Sequence, residues 1–408
     1  MSNTQKKNVP ELRFPGFEGE WEEKQFADFT KINQGLQIAI NERKTEYSPE
    51  LYFYITNEFL RPNSQTKYFI EKPPQSVIAN KEDILMTRTG NTGKVVTNVF
   101  GAFHNNFFKI KFDKNLYDRL FLVEVLNSSK IQNKILSLAG SSTIPDLNHS
   151  DFYSISSSYP LLREQQKIGK FFSKLDRQIE LEEQKLELLK QQKKGYMQKI
   201  FSQELRFKDE NGNDYPEWES KSIQEIFENK GGTALETEFN FDGNYKVISI
   251  GSYSINSTYN DQNIRVNKNK KTEKYILSKG DLAMVLNDKT KDGKIIGRSI
   301  FIDKDNQYIY NQRTERLIPF AENDNKFLWF LMNTDLIRNK IKGMMQGATQ
   351  VYINYSSIKL ISIQLPLLEE QQKIRGFLEV LSGITTEQLH KIDQLKERKK
   401  AFLQKMFI

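Results

Sequence analysis

Apolar and polar positions follow two rhythms along this chain. Short runs rich in β-branched and aromatic residues, bounded by Gly, Asn and Asp, predict strands at 51–56, 83–86, 107–112, 245–250 and 316–320. Segments 120–138 and 326–345 space their apolar residues as a helix does. Each ends in a small-residue loop, "AGSST" or "QGATQ", where Gly can take the left-handed cap conformation. A short strand follows ("YSIS", "LISI"), then a proline. After the proline the pattern becomes one long helical stripe. Ile168, Phe172, Leu175, Ile179, Leu186, Leu189, Tyr196 and Ile200 carry it first; Ile374, Leu378, Leu381, Leu389, Ile392, Leu395, Phe402 and Met406 carry it again. About 38 proline-free residues predict a helix about 57 Å long at 1.5 Å per residue. Pro160 and Pro366 suit the start of such a helix, and Glu164 and Glu370 face its positive end. The stripe is narrow and the remainder charged, which fits a coiled-coil seam better than a globular face.

The two stripes belong to an internal repeat. "PLLREQQKI" at 160–168 returns as "PLLEEQQKI" at 366–374. A shift of 206 positions aligns 160–201 with 366–407 without a gap, with 18 identities. Earlier landmarks recur in order. "LRFPGFEGEW" (12–21) is echoed by "LRFKDENGNDYPEW" (205–218), "INQGLQIA" (32–39) loosely by "ENKGGTALE" (228–236), and "KEDILMTRTG" (81–90) by "KGDLAMVLND" (279–288). The fold class expected is therefore α+β: two similar globular domains and two long helices, related by a pseudo-two-fold axis. Such an axis makes the helices an antiparallel pair with the domains at opposite ends. The expected boundaries are 1–158 and 204–364 for the domains, and 159–203 and 365–408 for the helices.

Composition narrows the chemistry. The chain has 408 residues, no cysteine and a formal net charge of +8. Disulfides, thiol nucleophiles and Cys-ligated metals are excluded. The positive balance favours an anionic partner. No apolar run approaches the ~18 residues of a membrane span, and "MSNTQKKNVPELRFPGF" lacks the apolar core of a signal peptide. A soluble cytoplasmic protein, without membrane contact, is expected. The three histidines, His104, His149 and His390, show no metal spacing. Phosphate-loop, dinucleotide and nucleophile-elbow motifs are absent. The "ExK" triplets at 22–24 and 219–221 have no well-placed upstream acid, so no metal or catalytic site is expected.

What remains is basic, polar loop chemistry. "MTRTGNTGKV" (86–95) offers Thr87, Arg88, Asn91 and Lys94; "LNDKTKDGKIIGR" (286–298) offers Asn287, Lys289, Lys291, Lys294 and Arg298 at the matching place. Arg can read guanine bidentately, Asn and Gln adenine, and Lys, Ser and Thr can hold phosphates. A solvated hairpin loop remains the alternative for each. The basic run "KQQKKGYMQK" (190–199) admits three readings: an exposed coiled-coil face, a DNA-backbone contact or a protein docking surface.

Two variable domains, each followed by "PLL-E-EQQKI" and a long helix, resemble the specificity subunit of type I restriction–modification enzymes. The "LRFPGFEGEW" opening and its echo look like the Gram-positive, staphylococcal versions. The resemblance covers essentially the whole chain, although Tyr159 and Leu365 stand where the family often has the first of two prolines. It implies two target recognition domains, one for each half of an asymmetric bipartite DNA site, and helices that set the spacing and dock two modification subunits. It implies that the chain is not itself catalytic and binds no cofactor. S-adenosylmethionine, ATP and Mg2+ would serve the adenine-methylating modification subunits and the translocating, DNA-cleaving restriction subunits. The candidate DNA contacts are then Gln34, Gln37, Thr87, Arg88, Asn91, Lys94, Ser141 and Thr143 in the first domain. Those in the second are Asn287, Lys289, Lys291, Lys294, Arg298, Arg313, Thr349 and Gln350. A protein-assembly scaffold without base readout is the alternative.

Overall fold

The computed structural model describes residues 8–61, 64–140 and 143–407. It comprises two units: unit 1, Met1–Gln184 with Leu389–Ile408, and unit 2, Lys185–Gln388.

The strands of unit 1 are β1 (Glu22–Gln25), β2 (Thr30–Gln34), β3 (Leu51–Ile55), β4 (Tyr68–Glu71), β5 (Ile78–Ala79), β6 (Ile84–Thr87), β7 (Val95–Val96), β8 (Gly101–Phe103), β9 (Phe107–Phe112) and β10 (Ser156–Tyr159). They form sheets of order β2-β9-β6-β7 and β4-β3-β8-β5, plus the pair β1-β10. Only β3 and β8 run parallel within these sheets. Helices α1 (Phe26–Phe29), α2 (Arg119–Asn127), α3 (Ser129–Leu138) and α4 (His149–Tyr153) accompany them, and the first part of α5 (Leu162–Phe201) closes the unit's core. Strand β6 is buried along its whole length and β9 over its first four residues, because both faces of the sheet are covered there.

Unit 2 repeats the plan with β11 (Glu219–Ser222), β12 (Phe227–Gly231), β13 (Phe239–Asn240), β14 (Tyr245–Ile248), β15 (Arg265–Val266), β16 (Leu282–Val285), β17 (Asn287–Asp288), β18 (Ser299–Phe301), β19 (Tyr308–Tyr310), β20 (Thr314–Pro319), β21 (Val351–Tyr352) and β22 (Ser362–Leu365). The sheet β12-β20-β16-β18 corresponds to β2-β9-β6-β7, the pair β11-β22 to β1-β10, and the parallel pair β14-β19 to β3-β8. Helices α6 (Asn325–Met332), α7 (Asp335–Gly343), α8 (Tyr355–Ile358) and the first part of α9 (Leu368–Met406) complete it. The chain is thus α+β with two similarly built units.

The five strands expected from the sequence are β3, β6, β9, β14 and β20, with ends moved by at most two residues. The single helices expected at 120–138 and 326–345 are each two. Ser128 and Thr334 leave the helical conformation, and their hydroxyls accept the N–H of Ile131 and Ile337. Each caps a new helix in mid-pattern.

The repeated phrase is a joint. Arg13 donates to both carboxylate oxygens of Glu164 at 2.7 Å, and Arg206 to those of Glu370 at 3.3 and 2.9 Å. These glutamates are 2 % and 0 % exposed. The next residue completes the lock. Gln165 accepts the Asp118 N–H at 3.0 Å and donates to Pro160 O at 2.9 Å; Gln371 accepts from Asp324 and donates to Pro366 O, each at 2.9 Å. Asp118 and Asp324 are the N-caps of α2 and α6. The "EQ" therefore ties the long helix to the unit's own helices and to the arginine of "LRF".

In α5, positions 168, 172, 175, 179, 182, 186, 189, 193, 196 and 200 step by four and three in turn; in α9 the series runs 374, 378, 381, 385, 388, 392, 395, 399, 402, 406. That is the 3.5-residue repeat of a coiled coil. Leu389, expected on the stripe, falls one position off it and is 49 % exposed, whereas Gln388 occupies the seam at 6 %. Within unit 1 the helices pair antiparallel: Phe171 meets Phe402 at 5.1 Å, Asp176 meets Lys399 at 2.7 Å and Glu182 meets Lys391 at 2.5 Å. Within unit 2, Tyr196 meets Phe377 at 5.2 Å, and Ile200 shares a core with Ile374 and Leu378.

Glu124 of α2 is buried beside Lys399 and Asp176. Burial pushes its carboxyl up to about 7, against the pull of the Lys399 charge. A carboxyl with a raised folded pKa holds its proton better in the folded state, so its ionisation costs stability as pH rises. Unit 1 should lose stability between pH 4.5 and about 7 through this group. Glu124→Gln should flatten that limb of a pH series of unfolding midpoints, and an unchanged slope would refute the assignment.

Candidate nucleic-acid interface

Three loops of each unit are stitched together by the same backbone hydrogen bonds. In unit 1 the Arg88 N–H donates to Asn106 O at 2.7 Å, and the Leu147 N–H donates to Arg88 O at 2.8 Å. In unit 2 the Leu286 N–H donates to Arg313 O and the Ile353 N–H to Leu286 O, both at 2.9 Å. The loop after β6 or β16 is thus clamped between the turn preceding β9 or β20 and the small-residue loop after α3 or α7. The loop returns in the same way in both units. Thr87 N–H bonds Lys94 O and Gly93 N–H bonds Thr87 O; Val285 N–H bonds Arg298 O and Gly297 N–H bonds Val285 O. Gly93 and Gly297 have φ of +87° and +72°, and an added Cβ would meet Ile135 of α3 at 3.2 Å and Ile341 of α7 at 2.8 Å. Between these fixed ends lie residues 88–92 in unit 1 and 286–296 in unit 2.

A fourth segment joins the frame. Gly35 and Gly232 pass so close to the turn that an added Cβ would lie 2.2 Å from Phe103 O and 2.1 Å from Asn311 O. This is the physical content of the loose echo between "INQGLQIA" and "ENKGGTALE". It brings Gln34 and Gln37 onto the turn: Gln34 Nε2 donates to Asn105 O at 3.1 Å, and Gln37 Oε1 accepts from Asn105 Nδ2 at 3.0 Å.

The expected contact residues divide into buried or bonded side chains and exposed ones. Thr87 is fully buried, and its hydroxyl bonds Asn91 O and accepts from the Lys94 N–H, which shapes the loop. Arg88 is half-buried, pairs with Asp146 at 2.6 Å and lies 5.7 Å over the Phe108 ring. Arg298 donates to Ser257 Oγ at 3.0 Å and Lys294 O at 3.2 Å, and burial lowers its pKa. Asn91, Lys94, Thr143, Lys289, Lys291, Lys294, Arg313, Thr349 and Gln350 are exposed. Their side chains enter no hydrogen bond or ion pair among the described residues. Asn287 is half-buried and faces Tyr352 in the β17–β21 pair. Ser141 lies outside the described residues.

Buried Asp288 holds the lysine loop in shape, accepting from the Thr290 N–H at 2.9 Å and the Ile295 N–H at 2.8 Å. Gln346 and Tyr352 close the small-residue loop with bonds of 2.8 and 2.9 Å, leaving Thr349 and Gln350 at its tip. The sequence reading missed Asn105, Asn106, Glu236, Asn311 and Gln312. Aligning "HNN" (104–106) with "NQR" (311–313), both just ahead of a strand, would have found the turn.

The chain matches the type I restriction modification DNA specificity domain family over residues 18–191 and again over 215–397. It belongs to that family. The type I restriction enzyme MjaVIII specificity subunit of Methanocaldococcus jannaschii is 26 % identical over 410 residues, covering 97 % of this chain and 93 % of the relative. Two solved structures share the fold. The type I restriction–modification S subunit from M. genitalium has a TM-score of 0.59 at 16 % identity, covering 98 % of this chain and 99 % of that one. A chain from a study of complex assembly and conformational transition of the type I R-M system has a TM-score of 0.57 at 15 % identity, covering 97 % and 98 %. The twice-matched specificity domain corresponds to the twice-built loop frame. Among the described residues no helix is long and apolar enough to cross a membrane.

Proposed function

We propose that this chain is the DNA specificity subunit of a type I restriction–modification enzyme, and that each unit reads one half of an asymmetric bipartite site. One observation carries the reading. The same hydrogen-bonded frame recurs in both units, while the side chains and loop lengths it presents differ. A shared frame with divergent tips suits two readers of different sequences. Residues 1–158 and 204–364 would form the readers. The helices at 159–203 and 365–408 would dock two modification subunits and set the unread gap. This subunit is non-catalytic. S-adenosylmethionine, ATP and Mg2+ would act in the modification and restriction subunits.

Lys289, Lys291 and Lys294 suit phosphate contacts, because each is an exposed cation on a loop held at both ends. Replacing all three by alanine should weaken binding on every DNA sequence and lower the salt slope by about 0.9 for each phosphate no longer neutralised. A titration of the assembled complex across salt concentrations measures this; an altered target with an unaltered slope would contradict it. The function itself is tested by mapping modified bases in cells carrying this chain and its modification subunits. A methylated adenine motif in two parts separated by unread positions is expected. A contiguous motif, or methylation that persists without this chain, would sink the proposal.

A further inference from the structure

At matching places the two frames offer opposite hydrogen-bond chemistry. In unit 1, Gln37 gives its Oε1 to Asn105 Nδ2, which leaves the Gln37 amide N–H groups to face outward. In unit 2 the residue bonded to the turn is Glu236. Its Oε1 accepts from Asn311 Nδ2 at 2.9 Å and from Gln312 Nε2 at 2.7 Å. Gln312 stands where Asn105 stands in unit 1, since both precede the residue whose carbonyl clamps the loop. Buried Asn311 is fixed in turn by the Leu235 N–H, which donates to its Oδ1 at 2.9 Å. The Glu236 carboxylate is therefore oriented at two steps' remove from the core, and its Oε2 remains on an exposed side chain.

A carboxylate is out of place there on electrostatic grounds. It is bonded to Gln312, the residue before Arg313, on the surface assigned above to DNA, where a negative group repels phosphates. The hydrogen bonds from Asn311 hold its carboxyl below the usual range, so it stays charged. Such a group is favourable next to DNA only where a base edge supplies a donor. In the major groove cytosine presents its N4 amino group as a donor, and Asp or Glu is its usual acceptor. Adenine also has an amino donor, but its N7 acceptor lies alongside and would be repelled by the carboxylate charge, whereas cytosine has no acceptor beside its N4 amino group. Guanine and thymine present acceptors at this edge and would leave the carboxylate unpaired.

We propose that Glu236 selects a cytosine in the half-site read by unit 2. The inference rests on the specificity-subunit reading and adds to it a residue, an atom and a base. It also makes Glu236 a discriminator by exclusion, since the wrong base meets an unsatisfied charge.

The test compares the methylation motif of cells carrying the wild-type chain with that of cells carrying Glu236→Gln, both with the modification subunits. Glutamine keeps the shape and one acceptor and turns the outward atom into a donor. The wild-type motif should contain a C·G pair in at least one half. With Glu236→Gln one position of that half should lose its cytosine requirement, and the other half should stay as it was. If genomic methylation disappears, competition binding of the purified complex to single-base-pair variants of the wild-type site decides. Discrimination at one C·G pair should fall by about tenfold or more. An unchanged motif with unchanged discrimination overturns the assignment, as does a wild-type motif with no C·G pair in either half. A wild-type motif that is not bipartite defeats the specificity-subunit reading instead, so the two failures are separable. A residue serving only to brace the turn would lower the unfolding midpoint without moving the motif.

Discussion

Replacing Arg13 by alanine destabilises unit 1 by about 3–5 kcal/mol, the usual cost of leaving one member of a buried ion pair without its partner. Glu164 is 2 % exposed, and Arg13 meets both its oxygens at 2.7 Å. Arg206→Ala has the same logic and a smaller effect. Glu370 keeps the Trp218 Nε1 donor at 3.1 Å, whereas Trp21 Nε1 makes no hydrogen bond among the described residues. A hydrogen bond to a charged group contributes about 1.5–3 kcal/mol, enough to separate the two variants. Hydrogen exchange of the complex resolves them by unit. Arg13→Ala should raise exchange in α2 and the start of α5, and Arg206→Ala, less strongly, in α6 and the start of α9. Equal losses, or losses below about 1 kcal/mol, would contradict the role given to the joint.

Gly232→Ala should disable recognition of one half-site. The new Cβ would lie 2.1 Å from Asn311 O and 3.0 Å from Thr314 O, both backbone atoms. Neither can swing away as a side-chain tip could. Overpacking of this kind costs about 1–3 kcal/mol. Here the strain falls on the turn that holds Asn311, Gln312 and Arg313. Moving that turn relieves it, at the expense of the frame's geometry. Methylation at wild-type sites should fall by about tenfold or more, since 1.4 kcal/mol is a factor of ten. Gly35→Ala should do the same through the other unit, where the Cβ would meet Phe103 O and His104 O at 2.2 and 2.3 Å. Gly195→Ala is the control. Nothing lies within 4 Å of its added Cβ, and alanine favours the interior of α5. Methylation rates in single-turnover assays measure all three. Full activity in Gly232→Ala would show that the frame does not position the reading groups.

The tandem plan was legible because repetition needs no physics to detect. That "EQ" would lock a helix to a distant cap was not legible, since its partners, Arg13 and Asp118, lie far away in sequence. The broken helices were half-visible. Ser128 and Thr334 sit inside an unbroken apolar pattern, and only their capping chemistry marks the break. Leu389 misled because a leucine one place off a heptad looks like part of it, while the seam position holds Gln388. The loops were legible as matching places in the repeat, but the packing within them was not. Thr87 and Arg88 were read for their donors alone, whereas buried Thr87 closes its own loop and Arg88 pairs with Asp146 across the frame. Glu236 was passed over because a carboxylate runs against the expectation of basic loops. Its meaning depends on Asn311 and Gln312, some seventy-five residues away.

The central claim is that two independent readers share one frame. The most direct test exchanges residues 88–92, together with 143–146 and 104–106, for those of a family member with a different target, and maps the methylation motif. The account predicts that one half of the bipartite motif changes, and the other half and the gap between them do not. A change in both halves, or a motif that ignores the exchange, would contradict it.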